Sequence, residues 1–577
     1  MTTARPNEDI LAIACEFITG VSNVLSFALT CSALRPVATQ RLLSMRSITL
    51  KIDPSVRRFH SFLFADTPAR APHIRAVTIG LESKDASPAI ADVAKDTDLL
   101  IDILTACPHL ERISLLFYGI SPQTSHDARV MDAIAALPSL RSLTVYGPSE
   151  DALTLVSNIR APLRVLILHQ CGAGETEFWH PAALEEFLSH LAPTLEKLTL
   201  YELIADEDVL QALGVTARQR PGSGATQFPA VRSLSIGMLL GMPLLSHLQY
   251  LFPALDGTLS IGQFIFEDEE QTDTDSLQPY VDLRAANLRA QGSLSDALVG
   301  DGSGSLSSCA WTKLDRVVCG ALFFYLLGLR CPVRLVMLDF TIGHSLAFTQ
   351  AAMRAAEALR ENPVPRLKFS LVLNDGLDVF DALFSPELAG TLTHLTLSLS
   401  LANDTMWSDM ADAGDTVPLR WDDLLDKLHS AFQLLHKLTH LRIVVHSNAF
   451  DDSAPELPPA AHSQEFVHAL CGPAFDHEGS AAALVRSLPA LRYVFLTTSG
   501  YLPIDIATDD ESTGGGRGSE CSKTRELELE RERRQDGEPA LVELHDDVAE
   551  TIIRNEELIL SDLDKAWMNN GVIETDP

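Results

Sequence analysis

Apolar and polar positions along the chain fall into a phrase that keeps returning. A proline is followed by a short step, an apolar residue and then an alternating apolar strand. It occurs as Pro72-His73-Ile74-Arg75-Ala76-Val77-Thr78-Ile79, as Pro108-His109-Leu110-Glu111-Arg112-Ile113-Ser114-Leu115 and as Pro138-Ser139-Leu140-Arg141-Ser142-Leu143-Thr144-Val145. Further copies are Pro162-Leu163-Arg164-Val165-Leu166-Ile167-Leu168, Pro193-Thr194-Leu195-Glu196-Lys197-Leu198-Thr199-Leu200 and Pro229-Ala230-Val231-Arg232-Ser233-Leu234-Ser235-Ile236, with weaker ones at 335–340, 367–373, 392–399, 438–445 and 491–497. Alternation at period two predicts β-strands. Between copies the period lengthens to that of a helix, at 98–105, 128–136, 182–191 and 424–435; Leu184, Phe187, Leu188 and Leu191 form an i, i+3, i+4, i+7 stripe. The anchor leucines 110, 140, 163 and 195 stand 30, 23 and 32 residues apart. One strand–helix unit cannot bury both apolar faces alone, so the units are expected to stack into a curved α/β solenoid with a parallel sheet. A doubly wound α/β domain is the competing fold, but no Gly-rich phosphate loop follows any predicted strand.

The first fifty residues follow a different pattern. Residues 9–18 place Leu11, Ala14, Cys15 and Ile18 on one helical face, Gly20 and Ser22-Asn23 interrupt it, and 24–31 resumes a helical period. Ser32 is placed to cap a third helix, which Pro36 can enter in its first turn. Ser47-Ile48-Thr49-Leu50 reads as a strand. Three short helices thus lead into the repeats.

Asp9-Ile10-Leu11, the run from Leu25 to Pro36 (LSFALTCSALRP), Leu42-Leu43 and Arg46-Ser47-Ile48-Thr49-Leu50 are similar to an F-box, and the chain resembles the fungal-type F-box/leucine-rich-repeat proteins, with degenerate repeats that lack the asparagine ladder. The resemblance implies an F-box-like module at 1–50, a repeat solenoid at 51–504 and an acidic linker with a helical tail at 505–577. It further implies a substrate-recruiting subunit of a cullin-type (SCF) ubiquitin ligase. A Skp-family adaptor and its cullin core would dock on a surface built from Ile10, Leu11, Leu25, Leu29 and Pro36, and the solenoid would hold a protein target. Part of that set has to pack inward, with Leu11 and Leu29 the expected dual-purpose residues. The Leu-Pro that usually precedes the first helix is replaced here by Pro6-Asn7. The alternative is a non-catalytic leucine-rich-repeat scaffold, without a ligase role, whose N-terminal helices only cap the array.

Several stretches break the pattern. Residues 218–227 read as a polar loop. Residues 267–308, acidic at one end and Gly/Ser-rich at the other, are expected to be largely a mobile insertion, as is the linker 509–522. RELELERERR at 525–534 suggests a solvated helix, and 317–329 a buried one. Residues 548–567 form a loosely amphipathic helix that either docks as a C-terminal cap or binds a partner.

Charge narrows the function classes. With 44 basic and 77 acidic residues the formal net charge is −33, which opposes binding to nucleic-acid phosphates and to anionic membranes. Nine dispersed cysteines without a CxxC pair, and an N-terminus without a signal-like apolar run, point to an intracellular protein in cytoplasm or nucleus. No Walker, HExxH or GxSxG motif is present, so no enzymatic activity, cofactor or metal is expected. His436 and His440 are four apart but enter a predicted strand, where that spacing spans about 13 Å. Asp422-Asp423 reads as a helix start and Asp451-Asp452 as a loop, while the acidic run 267–275 lacks the spaced ligands of a calcium loop.

Overall fold

A computed structural model describes residues 8–18, 20–30, 32, 34–51, 55–82, 90–118, 128–147, 150–169, 179–204, 227–241, 245–265, 278–296, 311–339, 348–373, 377–401, 419–448, 466, 469–470, 475–502, 519–528, 542–562 and 564–565. The chain divides into two compact units, one built from residues up to 243 with 247–255, the other from 244–246 and 256 onward.

In the first unit three helices, Glu8–Glu16, Val21–Thr30 and Arg35–Met45, precede seven strands: β1 Ile48–Lys51, β2 Ala76–Glu82, β3 Arg112–Tyr118, β4 Ser142–Tyr146, β5 Val165–His169, β6 Lys197–Ile204 and β7 Ser233–Leu240. Each pairs in parallel with the next. The second unit continues the same plan with β8 Thr258–Ile265, β9 Leu314–Gly320, β10 Val333–Asp339, β11 Arg366–Val372, β12 His394–Leu401, β13 His440–Asn448 and β14 Tyr493–Leu502, again parallel in chain order. Two antiparallel strands, β15 Ser519–Glu528 and β16 Val542–Glu543, close its edge. Successive parallel strands joined by helices, each strand beside the one before it, make each unit a leucine-rich-repeat-like α/β solenoid.

The returning phrase explains the stacking. Its apolar anchors Ile74, Leu110, Leu140, Leu163 and Leu195 are fully buried, each contributing about 1.5–3 kcal/mol relative to exposure. The residue after each anchor turns its carbonyl to the next unit. Arg75 O accepts from the N–H groups of Glu111 and Arg112, and Glu111 O from Arg141 and Ser142. Arg141 O, Arg164 O and Glu196 O repeat the arrangement. The same position alternates in sign often enough to pair across units, with Arg75 Nη1 3.1 Å from Glu111 and Arg164 Nη1 3.5 Å from Glu196. Helix entries carry local caps: His180 Nδ1 accepts from Ala183 N–H ahead of Pro181–Leu188, and Asp476 Oδ1 from Gly479 N–H ahead of His477–Ser487.

Five sequence expectations are corrected. Residues 317–329 are not one helix: β9 ends at Gly320 and the buried helix Ala321–Leu327 starts there, stopped by Gly328 at φ +56°. β8 had not been anticipated. Within 267–308, the segment Gln278–Asp296 is a helix, held by Tyr280, Leu283, Asn287 and Gln291 at i, i+3, i+7 and i+11, all buried. Its polar members bond backbone: Asn287 Oδ1 accepts from Leu245 N–H and Nδ2 donates to Leu326 O, while Gln291 Nε2 donates to Gly328 O. The expected helix at 525–534 is instead, over its described part, the end of β15, because its glutamates and leucines alternate at period two. Finally, Ser32 does not cap the third helix, whose N-cap is Leu34 without a side-chain bond, although Pro36 does sit in the first turn. The rest of 267–308, residues 218–226 of the polar loop, Asp451-Asp452 and most of the linker 509–522 lie outside the described residues.

Candidate functional site

Two surfaces concentrate features that folding alone does not require. The first lies on the N-terminal helices. A small core of Cys15, Val24 and Ala38, flanked by Ile18, Phe27, Ala28, Val37, Leu42 and Met45, holds the three helices together. Burial pushes the Cys15 thiol upward in pKa. Opposite that core an apolar stripe faces outward: Ile10 is 63% exposed, Ile13 56%, Phe17 81%, Leu25 47% and Leu29 77%. Spacings of three and four along each helix put these residues on one side of it. Of the five residues singled out from sequence, Ile10, Leu25, Leu29 and Pro36 are exposed and Leu11 is half-buried. Leu29 therefore takes no part in the core, contrary to the dual role expected of it. Ile13 and Phe17 were missed, although their i+3 and i+7 spacing from Ile10 was there to read.

The second surface is one face of the second unit's sheet, occupied by the chain's own C-terminal segment. Helix Asp546–Asn555 and the turn after it pack Ala549, Ile553 and Leu558 against Phe495. The helix stops in a Schellman turn, in which Glu557 N–H donates to Arg554 O and Leu558 N–H to Ile553 O. The left-handed position of that turn is normally glycine, but here it is Glu557, at φ +56°. A side chain in that conformation costs about 1 kcal/mol or more and persists where surroundings fix it. They do so here. Arg316 Nη2 lies 2.7 Å from Glu557 Oε1, Arg334 bonds both carboxylate oxygens, and Arg366 Nη1 is 3.2 Å from Oε2. The Arg334 bond above all holds the Glu557 carboxyl down to about 2.

Along the same face Arg442 Nη1 donates to Leu558 O at 2.8 Å and Ser370 Oγ to Asp564 at 2.7 Å. Lys368, 1% exposed, is held 2.5 Å from Asp339 Oδ1 and 2.5 Å from Asp564 Oδ2, the latter an ion pair without hydrogen-bond alignment. Burial raises the Asp339 pKa despite the opposing attraction of Lys368. Of the two roles open to residues 548–567, the described part docks on the sheet; Leu563 and residues 566–567 lie outside the described residues.

The repeats define the class: an α/β repeat protein of the leucine-rich-repeat-like kind. No family model matches the sequence, and no curated protein does. Among solved structures, the chain is similar to one in the "Crystal structure of TLR13-ssRNA13 complex", at 12% identity and TM-score 0.27, covering 65% of this chain and 43% of that one. It is also similar to a chain in the "Crystal structure of Rad7 and Elc1 complex in yeast", at 13% identity and TM-score 0.27, covering 76% and 88%. Likeness at this level assigns no function. Among the described residues, no helix is long and apolar enough to cross a membrane. Cys107 and Cys319 are buried and Cys331 half-buried, all as free thiols. Burial pushes Cys107 up to about 12 and Cys331 to about 11.

Proposed function

We propose that the protein is a non-catalytic, substrate-recruiting subunit of a cullin-type ubiquitin ligase. In this reading the N-terminal helices dock on a Skp-family adaptor and the repeats hold a protein target. One observation carries it: the outward stripe of Ile10, Ile13, Phe17, Leu25 and Leu29 lies on the segment whose sequence resembles an F-box. Five large apolar side chains turned to water on so small a module are unfavourable unless a partner covers them. The function follows from proximity, since holding a target beside the conjugating machinery raises the effective concentration of its lysines.

The test is capture of the purified full-length chain by a Skp-family adaptor. A central interface anchor typically costs about 2 kcal/mol on truncation and a lesser one about 1. The double change Ile10→Ala with Leu25→Ala should therefore weaken capture about a hundredfold. Both residues lie off the module's core, so the circular dichroism spectrum should be unchanged. Absence of micromolar capture by the unsubstituted protein would leave a repeat scaffold without a ligase role.

A further inference from the structure

The described residues bring His394, His440 and Glu556 together, with one ligand atom from each lying within 4.8 Å of the others. Strand register does most of this. His394 and His440 are direct partners in the β12–β13 ladder, and their rings stack 4.3 Å apart at an interplanar angle of 6°. Both residues occur in the same four-residue phrase, Leu392-Thr393-His394-Leu395 and Leu438-Thr439-His440-Leu441. The preceding threonine has the same task in each. Thr393 Oγ1 donates to Pro365 O at 3.0 Å and Thr439 Oγ1 to Thr393 O at 3.0 Å. With its single proton so used, each hydroxyl accepts from its neighbouring histidine, whose Nδ1 lies 2.8 Å away. That fixes the proton on Nδ1 in both rings and leaves the Nε2 lone pair for another partner.

Glu556 Oε2 sits 3.0 Å from His394 Nε2. A carboxylate oxygen facing a nitrogen lone pair at that distance needs a proton or a cation between them.

We propose that His394, His440 and Glu556 form a site for a Zn²⁺-class transition-metal cation that clasps the C-terminal segment to the sheet. Two imidazole nitrogens and one carboxylate are the donor set of a zinc site with a fourth position open to water, whereas Ca²⁺ and Mg²⁺ prefer oxygen alone. Bonds of about 2.0–2.1 Å at tetrahedral angles put ligand atoms about 3.4 Å apart, so closure asks each side chain to move by less than about 1 Å. The Nδ1–H···Oγ1 bonds are the outer-shell support such ligands normally have. Arg366 competes, with Nη2 3.3 Å from Glu556 Oε2, but its Nη1 also bonds Glu556 O and Glu557. The guanidinium therefore keeps a counter-charge when Glu556 turns to the metal.

The experiment is calorimetric titration of the chelator-stripped, full-length protein with Zn²⁺, together with the visible absorption of its Co²⁺ form. One equivalent should bind at micromolar concentration or tighter, with the absorption of a four-coordinate Co²⁺ site. The thermal midpoint should rise with Zn²⁺ concentration, as binding to the folded state requires. His394→Ala with His440→Ala should abolish all three effects. Glu556→Gln, which keeps the side chain's shape, should weaken binding at least tenfold. Thr439→Val, which removes only the orienting hydroxyl, should cost about tenfold or more. Two results would overturn the assignment: no stoichiometric binding at micromolar Zn²⁺, or a double-histidine variant that folds and binds as tightly as the parent, which would place the ion on the acidic surface.

Discussion

Replacing Lys368 by methionine isolates the most deeply buried charge under the C-terminal segment. Methionine matches the length of the lysine stem, so the perturbation is the loss of one ammonium between Asp339 and Asp564, which are 8% and 4% exposed. Breaking a buried pair by removing one partner typically costs about 3–5 kcal/mol. The site sets its own ceiling, because one carboxyl can escape by taking up a proton. Holding Asp339 protonated at pH 7, about three units above its ordinary 3.8, costs about 4 kcal/mol at roughly 1.4 per unit. Near pH 5 the same uptake costs only about 1.5 kcal/mol. The sign follows from linkage: the folded variant binds a proton that the unfolded chain releases, so its stability falls as pH rises from the ordinary carboxyl value toward the raised folded one. Urea denaturation of parent and variant, followed by circular dichroism and tryptophan emission at about pH 5 and pH 7, gives the difference directly. Adding Asp339→Asn to the variant should flatten the pH dependence. A loss below about 1 kcal/mol at pH 7, or one equal at both pH values, would refute the buried-triad reasoning.

Two further substitutions read other parts of the fold. Gly147 has φ +101°, and a Cβ there would lie 2.8 Å from Phe117 O, so Gly147→Ala should cost more than about 1 kcal/mol; an unchanged thermal midpoint would mean that this turn relaxes freely. Glu557, depressed to about 2, stabilises the docked segment fully above its ordinary 4.5, and that contribution is lost progressively as pH falls from there to about 2. Hydrogen exchange of the amides in 549–558 should therefore stay slow at about pH 4 in the parent and quicken in Glu557→Gln; equal protection in both would show that the three arginines do not hold the segment.

The solenoid was legible because its information is local and repeated. Each copy of the phrase supplies a fully buried anchor and alternating strand positions, and β4 and β5 follow that alternation throughout. Reading failed where composition was allowed to outweigh period. The acidic and Gly/Ser flanks of 267–308 concealed a helix whose inward face is polar, with Asn287 and Gln291 satisfied by carbonyls at 326 and 328. No hydrophobicity pattern marks such a face. In 525–528 the density of charge suggested a solvated helix, while the glutamate–leucine alternation already carried the strand period.

The functional surfaces divide along the same line. The stripe from Ile10 to Leu29 can be read from spacing alone, because a ten-residue helix with apolar residues on both sides must leave one side uncovered. The C-terminal clasp cannot, since its hydrogen bonds to the sheet join residues 116 to 241 positions apart and no window of sequence spans them. Each end nonetheless leaves a local trace. A helix that stops at Asn555-Glu556-Glu557 without a glycine needs something to hold a side chain in the left-handed turn, and two repeats that both enter their strands as Leu-Thr-His-Leu place two imidazoles at matched positions. An anionic left-handed turn calls for cations, and in a chain of net charge −33 the arginines that meet it are drawn from successive strands β9, β10 and β11. The paired histidines fall on the next two strands, β12 and β13, beside Glu556. The ion network and the imidazole pair are therefore parts of one device, in which the sheet supplies fixed positive and nitrogen donors and the C-terminal segment brings the carboxylates that bind it in place.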